Sequence, residues 1–346
     1  MAQYVTRNSA PREVYLAKLK GRRRSVSADE LFKSSGSYVN CASNSIDVLI
    51  ADEAHRLSEK SGMFSNLGED QVKEIINASL CSIFFIDDRQ RVTIKDKGSS
   101  EKIRLFAKKI GATIYEDVLE SQFRCNGSDG YLAWLDHLLE IRDTANYDGF
   151  EHEYDFQLFS DPKKMREAII KKNAENGKAR MVAGYCWEWP KTERNNTDYH
   201  DIKIPEYNFE ISWNLDRSTF ALDDKSINEA GCIHTTQGLE FDYIGVIIGD
   251  DMRYENGRIV TDFRRRATSD ASLKGIKKLA KEKPEEADKI ADEIIKNTYR
   301  TLMTRGQKGC YVFCTDCALA EYIRKSLPQK INYGEVVEPQ FKAAED

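Results

Sequence analysis

The chain has 346 residues, of which 32% are charged and 40% hydrophobic, and it shows neither an apolar run of bilayer-spanning length nor an apolar signal-peptide core. These features predict an ordered, cytoplasmic protein of about two domains that has no membrane partner. The net charge of −5 excludes a protein that is basic overall. A nucleic acid would therefore be held locally, with Arg22–Arg24 and Arg264–Arg266 as candidates, unless these triplets are ordinary solvated faces.

Apolar runs of strand length alternate with helical patterns along the chain. This alternation predicts an α/β fold with mostly parallel sheets. The predicted strands are 46–51, 82–87, 180–187, 243–249 and 310–315. The predicted helices are 10–20, 69–80, 100–110, 129–142, 162–176 and 285–300.

Polar and aromatic sequence near 145–160 interrupts this alternation and predicts a domain boundary. We divide the chain into a first domain at 1–150, a second domain at 151–330 and a tail at 331–346. Two insertions are predicted in the second domain. Residues 188–222 alternate aromatic residues with turn formers, which is typical of a β-hairpin, and residues 253–298 are highly charged and predict a loop followed by a helix.

The segment IDVLIADEAHRL at 46–57 carries the strongest chemical signal. Ile46–Ala51 is a continuous apolar run, typical of a parallel strand buried on both faces. Asp52 and Glu53 follow at the carboxyl end of that strand, where ligand sites in open α/β sheets lie. Asp52 could hold Mg²⁺ through water, and Glu53 could orient and deprotonate a water against a γ-phosphate.

The usual partner of such carboxylates is a phosphate loop, GxxxxGK followed by Ser or Thr, and no segment of the chain matches it. The backbone N–H groups and the Lys of that loop form most of the cradle for a nucleotide's phosphates. We therefore expect no useful NTP hydrolysis from this polypeptide alone.

Two metal-site hypotheses are weaker. A metal hydrolase built on Asp52, Glu53 and His55 lacks the HExxH spacing on a helix. A zinc site at Cys310, Cys314 and Cys317 lacks a second CxxC or HxxxH pair, and alternation in CYVFC places the first two cysteines on one face of a strand.

Five further segments, in this order, resemble the conserved segments of superfamily 1 helicases of the UvrD/Rep type. They are YVTRNSAPREVY at 4–15, FFIDDRQRV at 84–92, LESQFRC at 119–125, CIHTTQGLEFDYIGV at 232–246 and YRTLMTRG at 299–306. The chain is also similar to a bacterial DNA/RNA helicase-domain family related to the helicase-like region of Schlafen proteins. Some members of that family are fused to a nuclease domain, so the resemblance implies an upstream domain of that type.

The resemblance implies a fold of two RecA-like P-loop NTPase lobes with mostly parallel sheets. The first lobe would be truncated at its N-terminus, because the Walker A strand and loop would precede Gln3. Such a lobe would lack its central strand. We expect an exposed strand edge and an apolar patch as a result.

The resemblance also implies roles for individual residues. Positions that match catalytic residues of the family are Asp52, Glu53, Gln90, Arg124 and Arg305. Positions that match nucleotide contacts are Gly238, Glu240 and Arg300. Positions that match contacts with the nucleic-acid backbone are Thr6, Asn8, His234, Thr235 and Thr236. A guanidinium suits a γ-phosphate because it can bind two oxygens at once and stabilise developing charge.

The function implied is an ATP-dependent DNA or RNA helicase or translocase that acts on single strands, with ATP and Mg²⁺ as cofactors. Two alternatives stay open. One is a non-catalytic module in which a degenerate helicase fold binds nucleic acid or a partner, and the other is a regulator associated with a nuclease. The sequence does not distinguish DNA from RNA.

Overall fold

The computed structural model describes residues 2–19, 28–62, 66–119, 124–144, 150–215, 219–236 and 238–327. The arginine triplet at 22–24 and the tail at 331–346 lie outside the described residues. Within those ranges the fold is α/β with mostly parallel sheets, as the alternation of strands and helices predicted.

In chain order the strands are β1 (Ala2–Val5), β2 (Phe32–Lys33), β3 (Ile46–Ala51), β4 (Ser79–Phe84), β5 (Asp155–Leu158), β6 (Ala179–Ala183), β7 (Ile202–Ile204), β8 (Phe209–Trp213), β9 (Glu229–Gly231), β10 (Phe241–Ile248), β11 (Met252–Glu255), β12 (Arg258–Thr261) and β13 (Gly306–Cys314). The helices are α1 (Ser9–Leu19), α2 (Ala28–Leu31), α3 (Gln71–Ala78), α4 (Ser100–Lys109), α5 (Asp129–Leu138), α6 (Pro162–Asn176), α7 (Ile233–Thr236), α8 (Ile276–Glu282), α9 (Pro284–Met303) and α10 (Cys317–Ser326). None of these helices is both long and apolar enough to cross a membrane.

A small parallel sheet is formed by the strands β2, β1, β3 and β4, in that order. β3 covers the residues predicted for it, but it is not buried on both faces. Leu49 and Ala51 are fully buried against residues of α3, whereas Val48 and Ile50 on the opposite face are only partly covered. The apolar run therefore forms a strand with one well-packed face.

β4 ends the small sheet, because β3 is its sole partner among the described strands. The strand lies earlier than the predicted 82–87, and three apolar side chains on or just after it are exposed. Leu80 is 66% exposed, Ile83 41% and Phe85 46%. An open edge that carries apolar side chains is a site where another strand can pair.

A large sheet has the strand order β5, β13, β10, β6, β9, β8 and β7. All neighbours are parallel except β7 and β8. Its central strands are buried along most of their length, which explains their continuous apolar sequence. α6 begins as the sequence predicts, with the Asp161 side chain accepting a hydrogen bond from the Lys163 N–H at 2.8 Å and Pro162 in the first turn.

The two insertions differ from each other in how well the sequence anticipated them. The hairpin in 188–222 is present as β7 and β8, and β8 extends the large sheet by pairing with β9. The segment 253–298 does not begin as a loop, because β11 and β12 form a second hairpin. Asn256 and Gly257 connect these strands with φ values of 53° and 83°, as a tight hairpin turn requires, so the Asn-Gly pair was the missed signal.

α5 packs in the core of the large sheet, although the predicted boundary assigns it to the first domain. Tyr131, Trp134 and Leu135 are fully buried there, and Tyr131 donates a hydrogen bond to the Met303 carbonyl at 3.1 Å. The chain between the two sheets therefore crosses over before residue 150. The division at 150 stays a prediction.

Candidate site at the junction of the two sheets

Asp52 lies where β1 and β3 end side by side. Its N–H donates to the Val5 carbonyl at 2.9 Å, and its carboxylate accepts hydrogen bonds from the Tyr4 hydroxyl and, at 2.9 Å, from the Glu53 N–H. Burial raises the pKa of Asp52, and the Tyr4 hydrogen bond partly opposes this shift. The carboxylate is thus already held by two donors at the end of the sheet.

Glu53 adopts a left-handed backbone conformation with φ of 50°, which is strained for a residue with a side chain. Its carboxylate is almost fully buried, and its Oε2 lies 3.2 Å from His55 Nε2. Burial lowers the pKa of His55, and the Glu53 charge opposes that shift. The strained turn directs Glu53 away from the strand axis and towards the second sheet.

Gln90 ends the short 3-10 turn Asp88–Gln90, which follows β4. Its Nε2 donates to the Asp87 carboxylate at 2.9 Å, while its Oε1 is buried and has no hydrogen-bond partner among the described residues. Burial alone would raise the pKa of Asp87. The hydrogen bonds from Gln90 and the Arg89 N–H, together with the charges of Arg89 and Arg300, outweigh burial and lower it.

The loop at 238–240 brings the large sheet against these groups. Gly238 has φ of 80°, and a Cβ placed there would lie 2.7 Å from Pro11 Cγ and 3.8 Å from Glu53 Oε1. Only glycine permits this approach between the loop and α1. Glu240 is exposed. It lies near Tyr15 on α1, because burial and then the negative charges of Asp52, Glu240 and Glu53 raise the pKa of Tyr15.

Two of the arginines predicted to contact the nucleotide, Arg305 and Arg300, are engaged within the protein. Arg305 is 1% exposed, and its guanidinium donates to the carbonyls of Thr301 at 3.1 Å and Leu239 at 3.3 Å. Arg305 therefore fixes the position of the 238–240 loop through the Leu239 carbonyl. Arg300 forms a buried ion pair with Asp136 on α5. For Arg124 the backbone alone is described, in a 3-10 turn, so its predicted contact lies outside the described side chains.

Of the residues predicted to face a nucleic acid, Thr6, Asn8 and Thr236 are buried, whereas His234 and Thr235 are half-buried. Thr6 and Asn8 are buried, and the Asn8 N–H donates to the Thr6 hydroxyl at 3.3 Å. The hydroxyls of Thr235 and Thr236 each donate to the Cys232 carbonyl at 3.0 Å. These hydroxyls are committed to the local backbone, where they fix the turn of α7.

His234 contacts the small sheet through Arg56, with 3.4 Å between His234 Nδ1 and Arg56 Nη2. Burial, and then the charges of Arg56, Arg7 and Arg266, lower the pKa of His234 to about 3. The imidazole is therefore neutral at physiological pH, and Nδ1 can accept from the guanidinium. Sequence reasoning missed Arg56, although it directly follows DEAH.

Arg7 was also missed, and it connects Arg56 to the surface. The Nη1 atom of Arg7 lies 2.5 Å from the Arg56 carbonyl oxygen and 3.3 Å from Asp96 Oδ1. Arg56 Nε is 3.7 Å from the same Asp96 oxygen. Asp96 is completely buried, so one carboxylate orders both guanidinium groups.

Two further hydrogen bonds join the segment after β4 to the large sheet. The Ile94 N–H donates to the Ser272 carbonyl at 2.9 Å, and Asn297 Nδ2 on α9 donates to the Arg91 carbonyl at 3.0 Å. The structure thus brings Asp52, Glu53, Gly238 and Glu240 to one junction. The short turn that ends at Gln90 packs against α9 beside this junction, and Arg300 on α9 is close enough for its charge to lower the pKa of Asp87.

Comparison with known proteins identifies the family of this chain. The family model described as "Schlafen group 3, DNA/RNA helicase domain" matches residues 1–316. The chain is also similar to the uncharacterized protein YPL245W of Saccharomyces cerevisiae, with 27% identity over 309 residues. That match covers 80% of this chain, and the chain spans 64% of the yeast protein's length. Because the family model covers most of its length, the chain belongs to the Schlafen group 3 DNA/RNA helicase domain family.

Proposed function

We propose that this chain is the helicase-like module of an ATP-dependent helicase or translocase of the superfamily 1 type, and that it acts on single-stranded DNA or RNA. In this proposal the small and large sheets are the two RecA-like lobes. The observation that carries it is the approach of Gly238 to Glu53, which sets the loop of one sheet against the paired carboxylates of the other. A nucleotide-driven change in the gap between the sheets would then act on the carboxylates and the loop together.

In the described part of the chain no group of three or more His, Cys, Asp or Glu side chains is placed to hold a metal ion, so Mg²⁺ would depend on few protein ligands and on water. Asp52 and Glu53 offer the oxygen ligands that Mg²⁺ prefers, and the buried Gln90 Oε1 can accept from a water. A phosphate cradle is missing from the sequence, because the Gly177-Lys178 pair is followed by Ala179. In the structure Gly177 caps the C-terminal end of α6, which favours cations rather than phosphates. We therefore derive no hydrolytic step from this chain.

We infer that the first lobe can accept a further strand at the edge of β4. The exposed side chains of Leu80, Ile83 and Phe85 support this, because the edge of a finished sheet seldom exposes three apolar residues. A phosphate loop supplied on such a strand would enter the sheet at the end that holds Gln90 and Asp52. The nuclease-type upstream domain remains a proposal of the same kind.

The proposal is tested by measuring single-strand binding and ATP hydrolysis on the same preparation. Fluorescence anisotropy with labelled oligo(dT) and oligo(U) should show binding that weakens as salt rises. ATP turnover with either oligonucleotide should stay at the level of the Glu53→Gln variant. Turnover that the oligonucleotide stimulates and Glu53→Gln abolishes would overturn the expected inactivity, and a lack of binding to both oligonucleotides would overturn the nucleic-acid function.

A further inference from the structure

A groove of about 490 Å³ opens on the small sheet, beside the junction but separate from its carboxylates. Three loops form its walls, and each follows a strand of that sheet on its carboxyl side. They are the segments 34–36, 58–62 and 94–97. Asp52, Gln90 and Arg305 do not line it. The groove is therefore a surface distinct from the candidate site.

The charge of this groove is opposite to that of the whole chain. Arg7, Lys60, Lys95 and Lys97 line it against a single carboxylate, Glu59. Lys60, Lys95 and Lys97 are exposed and form no ion pair with any described residue. In a protein of net charge −5, three uncompensated ammonium groups around one concave surface attract an anion locally.

The loops that carry these lysines are held rigidly by hydrogen bonds. The N–H groups of Lys97 and Gly98 both donate to the Leu57 carbonyl, at 2.8 and 2.9 Å. Gln71 fastens the opposite wall, because it accepts from the Ser58 N–H and donates to the Ser61 hydroxyl, each at 2.9 Å. The groove is preorganised, so little loop entropy is lost when a ligand binds.

Close approach of two backbones fixes the position of the 94–97 wall. A Cβ at Gly98 would lie 1.9 Å from the Ala54 carbonyl oxygen, so no larger residue fits there without a shift of the loop. The 94–97 loop is thereby pressed against the DEAH turn. Arg7 then joins the groove to the junction, since it lines the groove and contacts the Arg56 carbonyl, and Arg56 contacts His234.

We propose that this groove binds the phosphodiester backbone of a single strand and guides it to the His234 side of the junction. The inference rests on the proposed function and names the surface that performs it. Among the residues that the structure describes, the lining consists of Arg, Lys, Ser, Gly, Glu, Gln and Ile, none of which offers an aromatic face for a base. The cationic side chains Arg7, Lys60, Lys95 and Lys97 would recognise phosphate charge, which is the same for every base sequence.

The test compares two triple variants that lose equal charge. The groove variant carries Lys60→Ala, Lys95→Ala and Lys97→Ala. The control variant carries Lys274→Ala, Lys277→Ala and Lys281→Ala, which are exposed lysines in and beside α8. Binding of labelled oligo(dT), oligo(dA) and oligo(U) is measured by anisotropy over a range of salt concentrations, and thermal melting by circular dichroism confirms that both variants fold.

The groove variant should lower the slope of log K against log salt by about 2, at about 0.7 for each phosphate contact with a single strand. The control should keep the wild-type slope, and the three oligonucleotides should bind alike. Protection of Lys60, Lys95 and Lys97 from acetylation by bound oligo(dT), read by mass spectrometry on the wild type, gives the same answer without any variant.

These outcomes distinguish a failure of the proposed groove from a failure of the proposed nucleic-acid function. If the wild type binds while the groove variant keeps its affinity and slope, the groove is wrong and the proposed function stands. A strong preference for one base sequence would also overturn backbone recognition in the groove. If the wild type binds none of the three oligonucleotides, both the groove and the proposed nucleic-acid function fail.

Discussion

The two sheets differ in how completely they are covered. In the large sheet β10 and β13 are buried along most of their length, and the hairpin of β7 and β8 closes one side. In the small sheet β3 has one well-packed face and β4 presents an open edge. The small sheet nevertheless carries Asp52, Glu53, Gln90 and the basic groove. The candidate site and the groove therefore lie on the less completely covered of the two sheets.

The largest expected effect comes from the core of the large sheet. Arg266 belongs to a triplet that the sequence offered as a nucleic-acid contact, but its side chain is buried between Asp251 and Asp270, at 3.0 Å from each. Arg266→Ala leaves two carboxylates buried without their cation, which should lower the free energy of unfolding by about 3–5 kcal/mol. Urea unfolding measures this effect.

The neighbouring Arg264 provides the control. Its side chain is exposed and pairs with Asp262 at 3.4 Å, so Arg264→Ala should cost about 0–1 kcal/mol. Equal effects of the two substitutions would show that Arg266 is not the structural member of the triplet and would weaken the contrast between the two sheets.

The sequence predicted the large sheet better than the small one, and the reason is burial. The apolar runs at 180–187 and 243–249 contain the buried strands β6 (Ala179–Ala183) and β10 (Phe241–Ile248), although β6 ends at Ala183, before the end of the predicted run. For β4 the apolar residues after Ile83 favoured a strand at 82–87, but the strand ends at Phe84 and Phe85 lies exposed beyond it. The pattern alone cannot tell an apolar residue that packs in a core from one at an open edge.

The candidate site was predictable to the extent that it depends on strand ends. Asp52 and Glu53 follow from the apolar run before them. The engagement of Arg300 by Asp136 does not, because the two residues are far apart in the chain and no local pattern reports their contact. The basic groove was missed for a similar reason, since its cations come from three separate segments that only the fold brings together, with Arg7 in one, Lys60 in another and Lys95 and Lys97 in the third.

The junction between the sheets should respond to acid. The pKa of His234 is lowered to about 3, from an ordinary value near 6.5, so the folded state binds its proton less readily than the unfolded state does. The stability that this provides is complete above about pH 6.5 and is lost as the pH falls towards 3, by about 1.4 kcal/mol for each pH unit.

Urea unfolding of the wild type and of His234→Gln between pH 7.5 and pH 4.5 isolates this contribution, because the other titrating groups are common to both proteins. The wild type should lose stability relative to the variant as the pH decreases. Parallel curves for the two proteins would mean that His234 is not held neutral by burial and by Arg56, and that the contact between the sheets at this point is loose.

The smallest effect on stability, with a visible effect on association, is expected at the edge of β4. Leu80 is exposed there, so Leu80→Lys should change the free energy of unfolding by about 0.5 kcal/mol or less. A lysine on an open edge opposes pairing between copies of the chain, because its charge would be buried against the neighbouring strand.

Sedimentation velocity should therefore show wild-type self-association that rises with concentration and is reduced in the variant. Leu222→Lys, at an exposed position outside the strands (41% exposed, against 66% for Leu80), is the control and should associate as the wild type does. A wild type that stays monomeric at high concentration would indicate that the small sheet is complete as it stands, and it would remove the main structural support for a missing strand.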